Sequence, residues 1–203
     1  VLAVIAMFML LVLISWFNYR ESLYAFFVVR QTYNFFYIAA LFGLHRYFLS
    51  SVMSAPSLDL LYSWMVLSAT AITLVFEYKF LQEYSSPRWT KTVWMCVLLW
   101  SLTVMVLLAA GYVSIAVKYN MVLNTVGMFL LPIFAVSTSN EKNSQSSITA
   151  SLLPKKYVVG YYLSITLVLI FSVLPYLGVI KGNEFAVNGL VFFTLCSSLI
   201  MTV

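Results

Sequence analysis

Charged residues are scarce in this chain of 203 residues, since Asp, Glu, Lys and Arg together make up only 8% of it. An ordinary soluble domain carries about 25% charged residues. Hydrophobic residues make up 63% of the sequence, and the mean hydropathy is +0.99. This composition excludes a soluble globular domain and predicts a membrane protein whose partners include membrane lipid.

Basic residues outnumber acidic ones, with 11 Lys and Arg against 6 Asp and Glu, and the formal net charge is +5. These basic residues are scattered at the ends of apolar runs and are not concentrated in one place. A nucleic-acid interface needs a concentrated basic face. We therefore predict no nucleic-acid partner.

Residues suited to catalysis or metal binding are also few. The sequence has one His, and its two cysteines, Cys96 and Cys196, lie inside apolar runs. A thiol in such a run usually acts as a small hydrophobic group. There is no HExxH or GxGxxG motif and no pair of carboxylates on one predicted span. We predict no catalytic site, metal site or cofactor, and therefore no enzymatic activity, for this chain itself.

Long apolar runs dominate the sequence, and a bilayer-spanning helix needs about 20 such residues. Strands of a membrane barrel would alternate over segments of about ten residues, whereas the run 95–110 does not alternate. We predict an all-α polytopic membrane protein, in which a single seven-transmembrane helix bundle covers residues 1–203. Because the first and last runs reach the chain ends, we expect a piece that is truncated at both ends. The predicted spans are 1–17, 22–49, 57–76, 92–110, 112–136, 157–176 and 186–203.

Most predicted connections are short, as a compact bundle requires, and Gly111 alone joins the fourth span to the fifth. Two connections are longer. One covers residues 77–91 and contains several charged residues, and the other covers residues 137–156 and is rich in Ser, Thr and Asn. We expect the second of these to be flexible. No internal repeat is visible, which disfavours a transporter built from duplicated halves.

The distribution of basic residues predicts the orientation, because cytoplasmic loops retain Lys and Arg. With the N-terminus outside, seven basic residues lie on the cytoplasmic side and three on the outer side, leaving out Arg30, which falls within a span. This count favours an N-out, C-in arrangement. The inner residues are Arg20, Lys79, Arg88, Lys91, Lys142, Lys155 and Lys156, and the outer ones are Arg46, Lys118 and Lys181.

Aromatic residues make up 17% of the chain. Many lie near the predicted ends of spans, where belts of Trp and Tyr mark the membrane interface without any further function. The residues assigned to such belts are Trp16, Phe17, Tyr19, Trp89, Trp94, Tyr157, Tyr161 and Tyr162.

Several short features follow one another in a characteristic order. A basic–acidic pair, Arg20 and Glu21, precedes an aromatic-rich second span that begins with residues 22–26. A phenylalanine, an aromatic–leucine pair and a proline follow the third span, lysines and tyrosines precede the sixth, and glycines with a small polar residue precede the seventh. The residues in these later features are Phe76, Phe80, Leu81, Pro87, Lys155, Lys156, Tyr157, Tyr161, Tyr162, Gly178, Gly182 and Asn183.

In this order of features the chain resembles the bacterial seven-transmembrane receptors with diverse intracellular signalling modules, over nearly its whole length. The resemblance implies a sensory domain of the bacterial inner (cytoplasmic) membrane that acts as a homodimer. Family members carry a periplasmic ligand-binding domain before the first span and a diguanylate cyclase, histidine kinase or related module after the seventh. The seventh predicted span lacks the acidic residue that the family often has midway along it.

Arg30 is the leading candidate for a coupling or ligand-contacting residue, because a charged side chain inside a span faces the bundle interior or a wet cavity. Asn34 and His45 lie on roughly the same helical stripe as Arg30. The alternative is that Arg30 extends along the helix to the inner headgroups. His45 and Arg46 are expected to meet Asp59, as an interfacial anchor or as a pH-sensitive binding site.

Asn120 and Asn124 are four residues apart on the fifth span, before Pro132. Asparagine side chains hydrogen-bond across membrane helices with an average contribution of about 0.6 kcal/mol. Interhelical packing is one interpretation of this pair, and a ligand-lined kink near Pro132 is the other.

Three functions compete at this point. The first is a signal-transducing receptor domain, which senses an unidentified ligand through its periplasmic domain or its bundle and moves the seventh span and an attached output module. The second is a small transporter or channel that uses Arg30, Asn34, Asn120 and Asn124 as a pore lining. The third is a structural anchor for a cytoplasmic enzyme. The sequence favours the first, because the chain has no repeats and few intramembrane charges.

Overall fold

The part of the chain that the structure describes folds almost entirely into α-helices. A computed structural model describes residues 2–20, 22–142 and 154–173. The prediction of an all-helical fold is confirmed, with the addition of one short two-stranded ladder. The helices are α1 (Leu2–Tyr19), α2 (Ser22–Leu41), α3 (Leu44–Leu49), α4 (Ala55–Gln82), α5 (Arg88–Ala109), α6 (Val113–Ser137) and α7 (Lys155–Val173), and the strands are β1 (Tyr84–Ser85) and β2 (Ser139–Lys142).

Three of the described helices, α4, α5 and α6, are long and apolar enough to cross a membrane. A shorter apolar stretch, Ala6–Asn18, lies within α1. This agrees with the membrane protein that the composition predicts. The predicted sixth span corresponds to α7, and the predicted seventh span, 186–203, lies outside the described residues, as does the loop segment 143–153.

The predicted second span, 22–49, is not one helix. Helix α2 ends at Leu41, and the chain turns at Phe42 and Gly43 before the six-residue helix α3 begins. Gly43 has φ = 75°, in the left-handed region that side chains with a Cβ disfavour. A continuous helix over these 28 positions would measure about 42 Å, well above the hydrocarbon thickness of about 30 Å. The turn at the glycine limits α2 to 20 residues, about 30 Å, which matches that thickness.

Helix α4 extends six residues beyond the predicted end of the third span at Phe76. The predicted connection 77–91 is therefore wrong at its start, because Glu77 and Lys79 are helical. Helix α4 begins after Ser54, whose backbone is extended, and has a proline in its first turn. Backbone N–H groups in the first turn have no partner within the helix, so the proline costs no hydrogen bond there. Its apolar side chains continue past Phe76 at Phe80 and Leu81, which are both buried, and this face keeps the helix packed.

The remaining connection after α4 pairs with the chain that follows α6. Strands β1 and β2 are antiparallel, with Tyr84 opposite Lys142 and Ser85 opposite Ser139. The two long connections predicted from the sequence therefore meet at one end of the bundle. At the other end, a tight turn with Gly111 at φ = 87° joins α5 to α6, as the sequence predicts.

Short connections make successive long helices run in opposite directions, so most of the basic residues collect at one end. We call this the basic end, and it comprises the C-terminal ends of α1, α4 and α6 and the N-terminal ends of α2, α5 and α7. Helix α4 is central, since it contacts α2, α5 and α6, and α6 in turn contacts α7. Basic side chains described there are Arg20, Lys79, Arg88, Lys91, Lys155 and Lys156.

The main hydrophobic core lies in the half of the bundle nearer the basic end and is rich in aromatic rings. A second, smaller cluster lies in the other half and is mostly aliphatic, with Leu67, Val104, Leu108 and Ala116 buried. Members of the main core include Phe27, Phe76, Phe80, Tyr84, Trp94, Phe134, Tyr161 and Tyr162.

Candidate functional site

A buried ion pair joins α2 to α4. The Arg30 guanidinium Nη2 lies 3.3 Å from Glu77 Oε1, and both side chains are 0% exposed. Arg30 therefore does not extend to the membrane surface. The alternative in which its side chain reaches the inner headgroups is wrong. Its counter-ion, Glu77, lies in the segment 77–91 that the sequence predicts to be a connection.

Tyr162 connects the same carboxylate to a third helix, since its hydroxyl donates a hydrogen bond to Glu77 Oε2. Tyr162 is 1% exposed, so its assignment to an interfacial aromatic belt is wrong. Hydrogen bonds to an ionised acceptor are roughly twice as strong as neutral ones. Glu77 on α4 thus holds Arg30 on α2 and Tyr162 on α7 at once. We call these three residues the buried cluster.

The three residues meet because they lie at similar depths below the basic end. Arg30 is eight residues beyond Ser22, about 12 Å along α2, and Tyr162 is seven residues beyond Lys155, about 10 Å along α7. Glu77 lies five residues before Gln82, about 8 Å from the end of α4. The antiparallel packing of these helices then brings the three side chains to one level.

Aromatic rings surround the cluster. The Arg30 guanidinium carbon lies 4.7 Å from the centroid of the Phe76 ring, a cation–π contact, and the Phe76 ring packs edge-on against Phe27 at 5.5 Å. A desolvated cation–π contact contributes about 2 kcal/mol. A lone buried charge is strongly unfavourable, and the Glu77 carboxylate together with this ring offsets that penalty for Arg30.

Asn34 lies one helical turn beyond Arg30 and is 3% exposed, and Gln31, next to Arg30, is 0% exposed. Of the predicted polar stripe, Arg30 and Asn34 therefore lie inside the bundle, and Gln31, which is not predicted, is buried beside them. His45 is not part of it, because the turn at Gly43 separates α3 from α2.

His45 lies at the opposite end of the bundle, where its ring stacks on Tyr62 of α4 with centroids 5.8 Å apart. The neighbouring Arg46 forms an ion pair with Asp59, Nη2 to Oδ1 at 2.5 Å. The two side chains of this pair are 65% and 62% exposed. The sequence predicts this contact of Arg46 with Asp59, and the exposure of the pair is that of a surface anchor.

Asn120 and Asn124 form a separate polar contact between α6 and α4. Both side-chain amides donate to the Thr70 hydroxyl, each at 3.4 Å. Close to them Gly127 faces Leu74, and a Cβ added at this glycine would lie 3.6 Å from a Leu74 methyl carbon. The asparagine pair therefore bridges two helices and does not meet the buried cluster.

Three buried residues at the site are not predicted as site residues from the sequence. They are Gln31, Glu77 and Tyr162. A signal for Glu77 is present, because Phe80 and Leu81 continue the helical spacing of apolar residues beyond Phe76. Tyr162 carries no comparable signal, since only the rotation of α7 about its axis decides whether its ring faces the bundle.

The chemistry available to the buried cluster is charge pairing and hydrogen bonding. Within residues 2–20, 22–142 and 154–173, no group of three His, Cys, Asp or Glu side chains is placed to hold a metal ion.

Tyr84, in the connection after α4, is 2% exposed. Burial raises the pKa of Tyr84 to about 12, so its hydroxyl stays neutral over the physiological range.

Comparison of the chain with protein-family models, with curated proteins and with solved structures gives no match. The contacts themselves, and above all the buried cluster that joins α2, α4 and α7, are therefore the basis of any functional proposal.

Proposed function

We propose that the chain is the transmembrane sensory and signal-transducing domain of a bacterial receptor. The observation that carries the proposal is the buried cluster, in which a carboxylate of one helix holds groups from two other helices. A domain that only anchors an enzyme has no need of a charged pair in its interior. Here the pair joins α2 to α4, and Tyr162 binds it to α7. The positions of the three helices therefore depend on one another.

In the proposed arrangement the chain has seven spans with the N-terminus outside and the C-terminus in the cytoplasm of the inner membrane. The basic end then faces the cytoplasm, in keeping with the positive-inside rule. The turn at Gly43 and the Arg46–Asp59 pair face the periplasm. The proposed seventh span leads to a cytoplasmic output module, a diguanylate cyclase or a histidine kinase, in a homodimer.

The signal passes through α7. An event at the periplasmic side or within the bundle shifts α2 against α4, and the buried cluster transmits the shift to Tyr162 and so to α7 and the span after it. A receptor needs a coupling of only about 1–3 kcal/mol between its two states. The hydrogen bond of Tyr162 to a carboxylate is of that size, at about 1.5–3 kcal/mol, and helix shifts of 1–2 Å are a common form of such transitions.

The test is the substitution Tyr162→Phe in the intact parent protein, with cyclic dinucleotide synthesis or autophosphorylation as the readout. The variant keeps the ring and loses only the hydroxyl that reaches Glu77. We expect a changed basal output and a response to stimulus that is at least several-fold weaker. Tyr157→Phe is the matched control, because it makes the same change on the same helix at a side chain that is 57% exposed.

Two results would contradict the proposal. One is an unchanged stimulus response in a Tyr162→Phe variant that is expressed and inserted normally. The other is flux of a solute through the purified chain in liposomes, since this is the result expected of a transporter or channel.

A further inference from the structure

Pro132 interrupts the backbone hydrogen bonds of α6. It lies inside the helix, five residues before the end at Ser137. A proline has no backbone N–H, so the carbonyl group four residues earlier, that of Met128, receives no intrahelical bond from it. Both residues are buried, and an unpaired carbonyl group is strongly unfavourable inside a membrane protein. The Met128 carbonyl therefore needs a donor from outside the ladder of α6.

Thr166 of α7 supplies that donor. Its hydroxyl donates a hydrogen bond to the Met128 carbonyl oxygen at 3.1 Å, across the interface between α6 and α7. Thr166 is 9% exposed and Met128 is 8% exposed, so the bond lies inside the bundle. Ser and Thr side chains commonly satisfy the carbonyl groups that a proline frees in a membrane helix. The contact therefore fits the gap that Pro132 leaves.

The same hydroxyl has a second acceptor within reach. The carbonyl oxygen of Tyr162, four residues earlier on α7, lies 2.8 Å from Thr166 Oγ1. A threonine hydroxyl has a single proton to donate, so the two carbonyl groups share it or compete for it. A bond to Met128 joins α7 to α6, whereas a bond to Tyr162 stays within α7. Thr166 therefore has two arrangements, and only one of them holds α6.

Helix α7 also holds α6 on the other side of the proline. Lys155 Nζ donates a hydrogen bond to the Val136 carbonyl oxygen at 2.5 Å, in the last turn of α6, where carbonyl groups lack intrahelical partners. Lys155 and Thr166 are 11 residues apart, about 16 Å along α7. Pro132 lies between their two acceptors in the sequence of α6. Helix α7 thus spans the interruption and is bonded to α6 on both sides of it.

The part of α6 beyond Pro132 carries contacts to α5. The Phe134 side chain is 1% exposed, and its ring lies 5.4 Å from each of the Trp89 and Trp94 rings, measured between centroids. Strand β2 follows directly and pairs with β1. A bend of α6 at Pro132 would therefore move the packing against α5 and the strand pair together.

We propose that Pro132 is a hinge in α6 and that the Thr166 hydroxyl holds this hinge closed. When the hydroxyl donates to Met128, the end of α6 is held on α7, and when it donates only to Tyr162, that end is free to bend at the proline. The closed arrangement is the more populated, because the open one leaves the Met128 carbonyl without this donor. The hinge depends only on α6 and α7 and does not rest on the signalling role.

The experiment is hydrogen–deuterium exchange of the full chain in detergent, read by mass spectrometry at the amides of residues 133–137, because exchange through local opening reports the open population. Thr166→Val keeps the branched shape and removes the hydroxyl. We expect it to speed exchange there about threefold, which corresponds to the average of about 0.6 kcal/mol for a hydrogen bond between membrane helices. Pro132→Ala restores an N–H for the Met128 carbonyl, and in that background Thr166→Val should have an effect of less than about 1.5-fold.

Two further variants separate the hinge from a general loss of stability. Thr166→Ser keeps the hydroxyl and should retain slow exchange. Thr125→Val is the matched control, because it makes the same change at an exposed hydroxyl of α6 that donates to the Met121 carbonyl of its own helix, and we expect it to leave residues 133–137 unaffected.

Three results would overturn the proposal. They are unchanged exchange in Thr166→Val, an equal acceleration by this substitution in the Pro132→Ala background, and an acceleration that is as large in residues 113–127 as in residues 133–137. Helical circular dichroism and a single gel-filtration peak establish that each variant is folded. Exchange is measured without stimulus or output, so this proposal and the signalling proposal can fail separately.

Discussion

Two ion pairs link the α2–α3 segment to α4, one near each end of the bundle, and they differ most in burial. Arg46 and Asp59 are closer together, at 2.5 Å, but their side chains are 65% and 62% exposed. Arg30 and Glu77 are 3.3 Å apart and fully buried. An exposed pair typically contributes about 0–1 kcal/mol, whereas removing one partner of a buried pair costs about 3–5 kcal/mol. Burial, and not the shorter distance, decides which pair matters.

The surroundings of the two pairs differ in the same way. The buried pair lies in the aromatic half of the bundle, with the Phe76 ring against the Arg30 guanidinium. The exposed pair lies beyond the smaller aliphatic cluster, at the end where α3 contains no buried residue. We therefore expect the half near the basic end to be the more rigid half, and the end at α3 to tolerate change.

The largest effect is expected for Glu77→Gln. The variant keeps the shape of the side chain but leaves the Arg30 charge buried without a counter-ion, so the free energy of unfolding should fall by about 3–5 kcal/mol. Unfolding of the full chain in mixed micelles, followed by far-ultraviolet circular dichroism, measures this loss. A change below about 1 kcal/mol would show that the buried pair is no stronger than a surface pair.

The next effect is expected for Tyr162→Phe, which removes the hydrogen bond to Glu77 and leaves the ring in place. We expect a loss of about 1–2 kcal/mol, between the average for interhelical bonds in membranes and the value for bonds to charged groups. The same unfolding assay measures it. Tyr157→Phe, at the exposed tyrosine of the same helix, should change stability by less than about 0.5 kcal/mol, and equal losses in the two variants would remove α7 from the cluster.

Asn120→Leu is expected to have a smaller effect, of about 0.6 kcal/mol. The substitution removes one of two amide donors to Thr70, and interhelical hydrogen bonds of this kind average that value. The unfolding assay applied to Asn120→Leu and to Asn124→Leu compares the two. A loss above about 2 kcal/mol in either variant would show a second strong polar contact in the bundle. The strong polar contacts would then not be confined to the buried cluster.

The smallest effect is expected for Asp59→Asn, at the exposed pair. We expect a loss of at most about 0.5 kcal/mol, because solvent and salt screen such a pair. The loss should disappear at about 1 M salt, where the Debye length is about 3 Å, while that of Glu77→Gln should remain. Unfolding measured at low and high salt tests both statements, and a salt-dependent loss in Glu77→Gln would show that water reaches the buried pair.

The sequence predicts the helices well, and it predicts Arg30 as the charged residue to examine. It fails at Glu77 for a physical reason: hydropathy averages over a window, and the polar neighbours of Glu77 lower that average. The helix sorts these residues by face, so that Lys79 is exposed while Glu77 is buried. Burial of Tyr162 depends on how α7 is rotated about its axis against α4. This rotation is set by the packing of the helices, so the local sequence pattern does not predict it.

The turn at Gly43 shows what the sequence alone leaves undecided. The run 22–49 is predominantly apolar, and a glycine inside such a run is compatible with either a continuous helix or a break. The contact of Arg46 with Asp59 follows from their positions at neighbouring helix ends, and that contact is predicted. Local patterns thus predict contacts between residues that are close to the same chain turn. They do not predict contacts that require three separate helices to meet, as in the buried cluster.

The most direct test of the central claim is a double-mutant cycle on the buried pair, with Arg30→Met, Glu77→Leu and the two combined. Unfolding free energies of the four proteins give the coupling between the residues. The account predicts that each single variant loses about 3–5 kcal/mol, and that the double variant, which buries no charge, is more stable than either single one by at least about 2 kcal/mol. A double variant whose loss equals the sum of the two single losses would contradict a buried ion pair between α2 and α4.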